Sequence, residues 1–298
     1  MQINNLIKIY FHVCDKFNEK LCWEVQRFSN NSHPQCIITD KELITIYLFC
    51  VAYEEKFKIK SMYNHIKNYW LSWFPLLPSY QAFNARLNML CSAFAVLLED
   101  FVSRTEVEED RLKILVGDSF PVVTCCHKRA GKVARELTDK GYCATKKLHF
   151  YGVKVHAIGL RRPSLMPIPQ YLEVTQASVH DLTALRNILE KMDADVSIFD
   201  KAYADKTLAE QMKKRNNVLL TPLKEKQGLA PILKQRDQAY VDLYNKAVST
   251  IRQPIESLFN WINERTQIQN ASKVRSSNGL RLHLFGKLTA AVMILYGF

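Results

Sequence analysis

Asp118 closes the apolar run LKILVGD, Asp200 closes a second one, DVSIFD, and Glu256 lies in the later stretch RQPIESLFNWIN. Each aspartate follows a short segment whose composition suits a buried strand. Side chains at strand ends are held rigidly by a sheet yet open to solvent. Ile255, Leu258, Phe259 and Ile262 give the third segment an apolar side, so a helix there can pack on the sheet and aim Glu256 back toward both aspartates. Three carboxylates brought together without cations repel one another and force at least one pKa up. Two Mg²⁺ ions would remove that repulsion, because they take hard oxygen ligands and keep water positions that phosphate oxygens can fill. Set about 3.5–4 Å apart, such ions stabilise both the attacking and the leaving oxygen of an in-line displacement. The same residues also have structural uses. An Asp after a strand is a common turn residue or helix N-cap, as Asp118 before Pro121 would be, and Glu256 suits a helix surface. Residue type and spacing leave both readings open.

Basic groups stand close to these acids in sequence. Arg252 lies four residues before Glu256 and shares its helix face, either as a surface ion pair or as a bidentate phosphate ligand. The segments HKRAGKVAREL and KGYCATKK between Asp118 and the next strand carry Lys128, Arg129, Lys132, Arg135, Lys146 and Lys147, which serve either as a solvated basic face or as phosphate contacts of the kind that position a nucleic acid without reading its sequence. A second basic stretch, LKEKQGLAPILKQR, serves equally well as a loop. The whole chain carries 41 Lys and Arg against 29 Asp and Glu, a formal charge of +12 that favours a polyanionic partner. Anionic membranes and acidic proteins satisfy the same electrostatics. The eight cysteines form no CxxC pair and read as reduced thiols. No secretory signal is apparent, and the apolar tail Leu282 to Phe298, interrupted by His283 and Lys287, is too short for a membrane span.

The elements that must hold these groups change character near residue 110. Before it the chain reads as helical throughout: Thr39 and Glu42 form a capping box ahead of LITIYLFCVAY, and Ser79 caps one long helix from Tyr80 to Phe101. The run from Lys58 to Leu90, helix then Pro-bounded turn then helix, fits a helix-turn-helix with Ser79, Tyr80, Gln81, Asn84 and Arg86 at the major groove. Beyond residue 110, strands are predicted at 112–118, 147–159, 171–177, 195–200 and from Asn217. Helices are predicted at 180–192, after an Asp205 cap, and at 246–265 with Pro254 in a first turn or at a kink. His180 and Asp181 sit where the 180–192 helix starts. Strands first, then alternating helix and strand, imply a mixed sheet flanked by helices.

Taken together, VGDSFPV around Asp118, DKAYAD around Asp200, RQPIESLFNWIN around Glu256 and the tail NASKVRSSNGLRLHLFGKLTAAVM resemble the DDE transposases of bacterial insertion sequences, in particular the insertion-sequence-982 group. The resemblance covers about residue 111 to 298, with 81 residues between the aspartates and 55 between Asp200 and Glu256. It implies an α/β catalytic domain of ribonuclease-H-like fold over 106–298, preceded by an all-helical domain over 1–105 that binds DNA ends. It also implies that Asp118, Asp200 and Glu256 are the catalytic acids and the ligands of two Mg²⁺ ions, with Mn²⁺ as a substitute. Arg252 matches the Arg of the Tyr–Arg–Glu–Lys signature of related transposases. The signature Tyr is Ser249 here and the Lys is Asn263, so Lys273 or Arg275 would take over the DNA contact, beside Lys201. The implied activity is cleavage at element ends and joining of the 3′-hydroxyl to target DNA. A homodimer acting on terminal inverted repeats, in the bacterial cytoplasm at the nucleoid and without a membrane anchor, would carry it out. Rival readings are a nuclease of the same fold that does not join strands, and a catalytically silent DNA-binding derivative.

Overall fold

The computed structural model describes residues 2–25, 38–104, 112–126, 132–143, 147–223 and 231–298. The first part is helical: α1 (Gln2–Lys16), a π segment (Phe17–Leu21), α2 (Cys22–Glu24), α3 (Asp40–Ala52), α4 (Ile59–Tyr69), α5 (Tyr80–Met89) and α6 (Cys91–Val102). Then come β1 (Ile114–Cys126), β2 (Asp139–Cys143), β3 (Leu148–Arg162), β4 (Leu165–Gln176), α7 (Asp181–Ile188), β5 (Val196–Ile198), α8 (Lys206–Lys213) and β6 (Val218–Leu220). The chain ends in α9 (Pro231–Arg252), α10 (Pro254–Thr266), α11 (Ser277–Arg281), a π segment (Leu282–Gly286) and α12 (Lys287–Leu295).

Local chemistry explains most boundaries. The Thr39 side chain accepts from the Glu42 N–H while the Glu42 carboxylate accepts from the Thr39 N–H, the reciprocal cap the sequence predicts. Ser79 and Asp205 cap α5 and α8 one way only, their side chains accepting from the Ala82 and Leu208 N–H groups. The helix expected from Tyr80 to Phe101 is two helices, because Leu90 leaves helical geometry (ψ 9°) and ends α5 while starting α6. The helix expected over 246–265 is also divided. Pro254 has no N–H to donate and stands in the first turn of α10, with Gln253 at the joint after Arg252.

The six strands form one mixed sheet. β1 pairs antiparallel with β3 and parallel with β5, which pairs parallel with β6; β2 and β4 follow one another along the other edge of β3. β1 is longer than predicted, so Asp118 lies within it and not at its end. The parallel partner β5 nevertheless stops opposite Val116, and from there β1 is flanked on that side by no described strand. Asp118 therefore lies two residues beyond the end of the parallel ladder, on an edge that no described strand covers.

Alternation along β1 sorts its side chains between two cores. Val116, Phe120 and Val122 face the larger one, shared with Ile255, Leu258, Phe259 and Ile262 of α10, while Leu115 faces a smaller one with Leu185 of α7 and Phe199. The larger core continues without interruption into α3, α6 and α12. α3 is apolar around its whole circumference and buried from Leu43 to Ala52, as a central helix must be. α12 and the preceding π segment lie against α6, with Thr289 Oγ1 donating to the Phe94 carbonyl. No helix among the described residues is long and apolar enough to cross a membrane.

Candidate active site

The strand register brings the two aspartates together. Val116 is the partner of Ile198 in the parallel β1–β5 ladder, so continuing the same register by two residues sets Asp118 abreast of Asp200. Period-two alternation gives Asp118 the same sheet face as Val116 and Phe120, and the Phe120 ring meets Phe259 of α10 at 4.8 Å between centroids. That face is where α9 meets α10. Gly117 makes room for the approach on the opposite face: a Cβ there would stand 2.5 Å from the Phe199 ring, immediately before Asp200.

Arg252, the last residue of α9, links two of the acids. Its Nη1 donates to Asp118 Oδ2 at 2.5 Å and its Nη2 to Glu256 Oε1 at 3.2 Å. The arginine side chain is only 13% exposed, which separates it from an ordinary surface pair, while Glu256 stays 56% exposed and reachable by a ligand. The Arg252 Nε is buried with no hydrogen-bond partner, so the guanidinium is not fully satisfied by the two carboxylates. The i,i+4 pair and the link to Asp118 are thus both present.

Burial pushes the Asp118 carboxyl up to about 6, and nearby Asp200 and Asp181 add to the rise; the Arg252 guanidinium and the Ser119 N–H oppose it. Burial, reinforced by Asp181, Asp118 and Asp200, pushes the Tyr203 phenol far upward, so it remains a neutral hydroxyl beside the acids.

Asp181 belongs to this neighbourhood, although sequence alone gives it only a helix-start role. Ser119 Oγ donates to it at 3.2 Å and Lys154 Nζ at 3.1 Å, with buried His156 at 3.8 Å. In antiparallel β1–β3, Ser119 pairs with His156 and Pro121 with Lys154, so by alternation these side chains lie on the sheet face opposite Asp118, and the nearness of Asp181 to Asp118 is not a signal the strand pattern gives. Burial pulls His156 down to about 4, so it is neutral. His180 caps α7, its Nδ1 accepting from the Leu182 N–H.

The donor set consists of carboxylate oxygens, the chemistry hard divalent cations prefer, and it carries more negative charge than Arg252 and Lys154 neutralise. Among the described residues, no three metal-ligating side chains already stand within reach of one ion. Arg252 spans Asp118 and Glu256, so binding a cation there requires the guanidinium to withdraw. The residues fit a divalent metal in type, with Arg252 in the position of its stand-in.

The predicted DNA contacts are spread more widely. Lys132, Arg135, Lys147, Lys201, Lys273, Arg275 and Gln81 are exposed and Asn84 is half-buried, while Lys128, Arg129 and Lys146 lie outside the described residues. Arg86 is engaged inside the helical part: Nε and Nη2 grip Asp40 at 2.8 and 2.6 Å, and Nη2 also donates to the Val25 carbonyl. This is a bidentate structural pair against a buried acid, and it occupies the fork that base reading would need.

Residues 110–293 match the family model described as Transposase DDE domain. No curated protein matches the chain.

Proposed function

The chain belongs to the transposase DDE-domain family, and from that premise we propose that it cleaves DNA at the ends of an insertion sequence and joins the freed 3′-hydroxyl to target DNA. The observation that carries this reading is the proximity of Asp118 and Asp200, each two residues past the end of the parallel ladder and close enough for Asp200 to raise the Asp118 carboxyl, with Glu256 tied to Asp118 through Arg252. As a DDE-type transposase it acts on DNA. We infer further that the catalytic core has a ribonuclease-H-like fold and that the chain belongs to the insertion-sequence-982 group.

Asp118, Asp200 and Glu256 would hold two Mg²⁺ ions, with Mn²⁺ as a substitute. Bound divalent ions supply activation of the attacking oxygen and neutralisation of the leaving one. The protein's own part is positioning and charge. β1 fixes Asp118, Asp200 follows two residues after β5 ends, and α10 carries Glu256. Arg252 offsets the mutual repulsion of the acids in the free enzyme. Once its carboxylate partners are neutralised, its fork is available for a phosphate oxygen pair. Tyr203, kept protonated, offers a neutral donor, and Lys201, directly after Asp200, adds positive charge beside the acids. Exposed Lys132, Arg135, Lys147, Lys273 and Arg275 then hold the DNA backbone. The α4–α5 pair, with Gln81 and Asn84, is the proposed reader of the terminal repeats, and two chains on paired ends form the working dimer.

Labelled oligonucleotides bearing the element's own ends, mixed with a target plasmid and Mg²⁺, test the reading. Covalent joining of the labelled 3′ strand to plasmid is expected. Cleavage without joining would favour a nuclease, and binding without cleavage a silent DNA-binding derivative.

A further inference from the structure

At the far end of α10, roughly 17 Å along the helix axis from Glu256 at about 1.5 Å per residue, the structure has a cavity of about 460 Å³. The N-terminal helices, the loop after α10 and the C-terminal helices close around it. Its mouth carries Lys58, Lys60, Lys273 and Arg275, and none of the described residues that line it is acidic. Asn84, Asn88, Gln267 and Asn270 supply amides, and Phe57 and Tyr80 supply aromatic surface.

Lys287 provides an independent sign of a ligand. Its residue is 2% exposed, and its Nζ donates to the Gln267 carbonyl at 3.3 Å and sits 5.9 Å from the Phe57 ring centroid. Among the described residues no carboxylate pairs with it. A buried ammonium is costly unless an anion accompanies it. Accordingly, burial draws Lys287 down to about 7. The neighbouring His283 donates its Nε2–H to the Ile268 carbonyl and stays neutral, so it supplies no countercharge. Among the described residues, the cavity floor thus holds a lysine with no anion in a pocket lined by cations, amides, hydroxyls and apolar side chains.

We propose that this cavity binds a phosphate-bearing nucleotide unit, with Lys287 pairing its phosphate from below, the rim lysines from above, and the amides and rings receiving the base. A volume of about 460 Å³ exceeds what a bare phosphate fills and suits a nucleotide. The nucleotide belongs either to a DNA strand that continues from the catalytic site or to a free monophosphate. The first source rests on the proposed transposase reading and the second does not. The link to the catalytic site is short: the loop lining the cavity is hydrogen-bonded to β1, where Val123 N donates to Gln269 O and Ala271 N to Val123 O.

Calorimetric titration of the full chain with deoxyadenosine monophosphate, deoxyadenosine, inorganic phosphate and a short single-stranded oligonucleotide tests this. Saturation by the monophosphate, at least tenfold tighter than nucleoside or phosphate alone, identifies a free nucleotide. Saturation by the oligonucleotide alone identifies a DNA strand. In either case Lys287→Met and the exposed double variant Lys58→Gln/Lys60→Gln should each weaken binding at least tenfold. Binding that is absent, or equal in wild type and both variants, overturns the proposal. Strand transfer measured in parallel separates the two ideas. Joining without nucleotide binding refutes only the pocket, and nucleotide binding without joining refutes only the catalytic reading.

Discussion

Asp118→Asn should make the metal-free protein more stable at neutral pH, and the size of the gain follows from the site. Its carboxyl titrates at about 6 against an ordinary 3.8, a shift of about two units, or about 3 kcal/mol at 1.36 kcal/mol per unit. Between these values the folded protein binds more protons than the unfolded chain, so stability falls as pH rises from 3.8 to 6 and the full cost is present above 6. The side chain is 24% exposed, so solvent screening removes only part of this. Asparagine also forfeits the ion pair with Arg252, which makes about 3 kcal/mol an upper bound. For a chain of this size roughly 2 °C per kcal/mol applies, so the variant should melt up to about 6 °C higher at pH 7.5 and about equally at pH 4. Mg²⁺ at ten times its dissociation constant should return about 1.4 kcal/mol to the wild type and little to the variant. Thermal melts of both proteins across pH 4 to 8, with and without Mg²⁺, provide the comparison. A variant that is less stable at pH 7.5, or a difference independent of pH, would refute the assignment of a buried carboxylate whose ionisation costs stability.

Three further outcomes are expected. Arg252→Gln removes the cation that holds Asp118 down, so the acid limb of the strand-transfer pH profile should move upward and the rate fall about a hundredfold, with Arg252→Lys a poor rescue because it lacks the fork; an unmoved limb would count against the link. Gly117→Ala drives a methyl into the Phe199 ring beside Asp200, so joining should drop at least tenfold while DNA binding, measured by gel shift, holds within about twofold; full joining activity would show that Phe199 does not position Asp200. Neutralising Lys132, Arg135 and Lys147 together should reduce the slope of log affinity against log salt by about 0.9 for each phosphate no longer neutralised, and an unchanged slope would remove these residues from the DNA surface.

Much of this site is legible in the sequence because strands and caps obey local rules. Asp118 and Asp200 stand out through short apolar runs that end in Asp, and the register of β1 on β5 explains why those runs matter. The capping box at Thr39 and the Asp205 cap follow from side chains within three residues. What escapes a sequence reading is nonlocal. Period-two alternation cannot reveal that β1 runs on past Asp118 alongside β3, so the aspartate looks terminal when it is not. Asp181 joins the site only because Ser119, Lys154 and His156 meet it across two strands. Arg86 looks like a base reader at a helix start, but its partner Asp40 is 46 residues away in sequence. The continuous core linking α3 and α6 to α12 is equally invisible, since each helix only shows that it has an apolar side.

Glu256 is the acid on which the central claim depends most, because it meets Asp118 only through Arg252. The rate of strand joining by Glu256→Gln, at saturating Mg²⁺ and with melting temperature checked, tests it directly. If Glu256 is the third metal-holding acid, joining falls at least a hundredfold while the fold is retained. Joining within about threefold of wild type would mean that Glu256 is only the surface partner of Arg252, and the triad would be wrong.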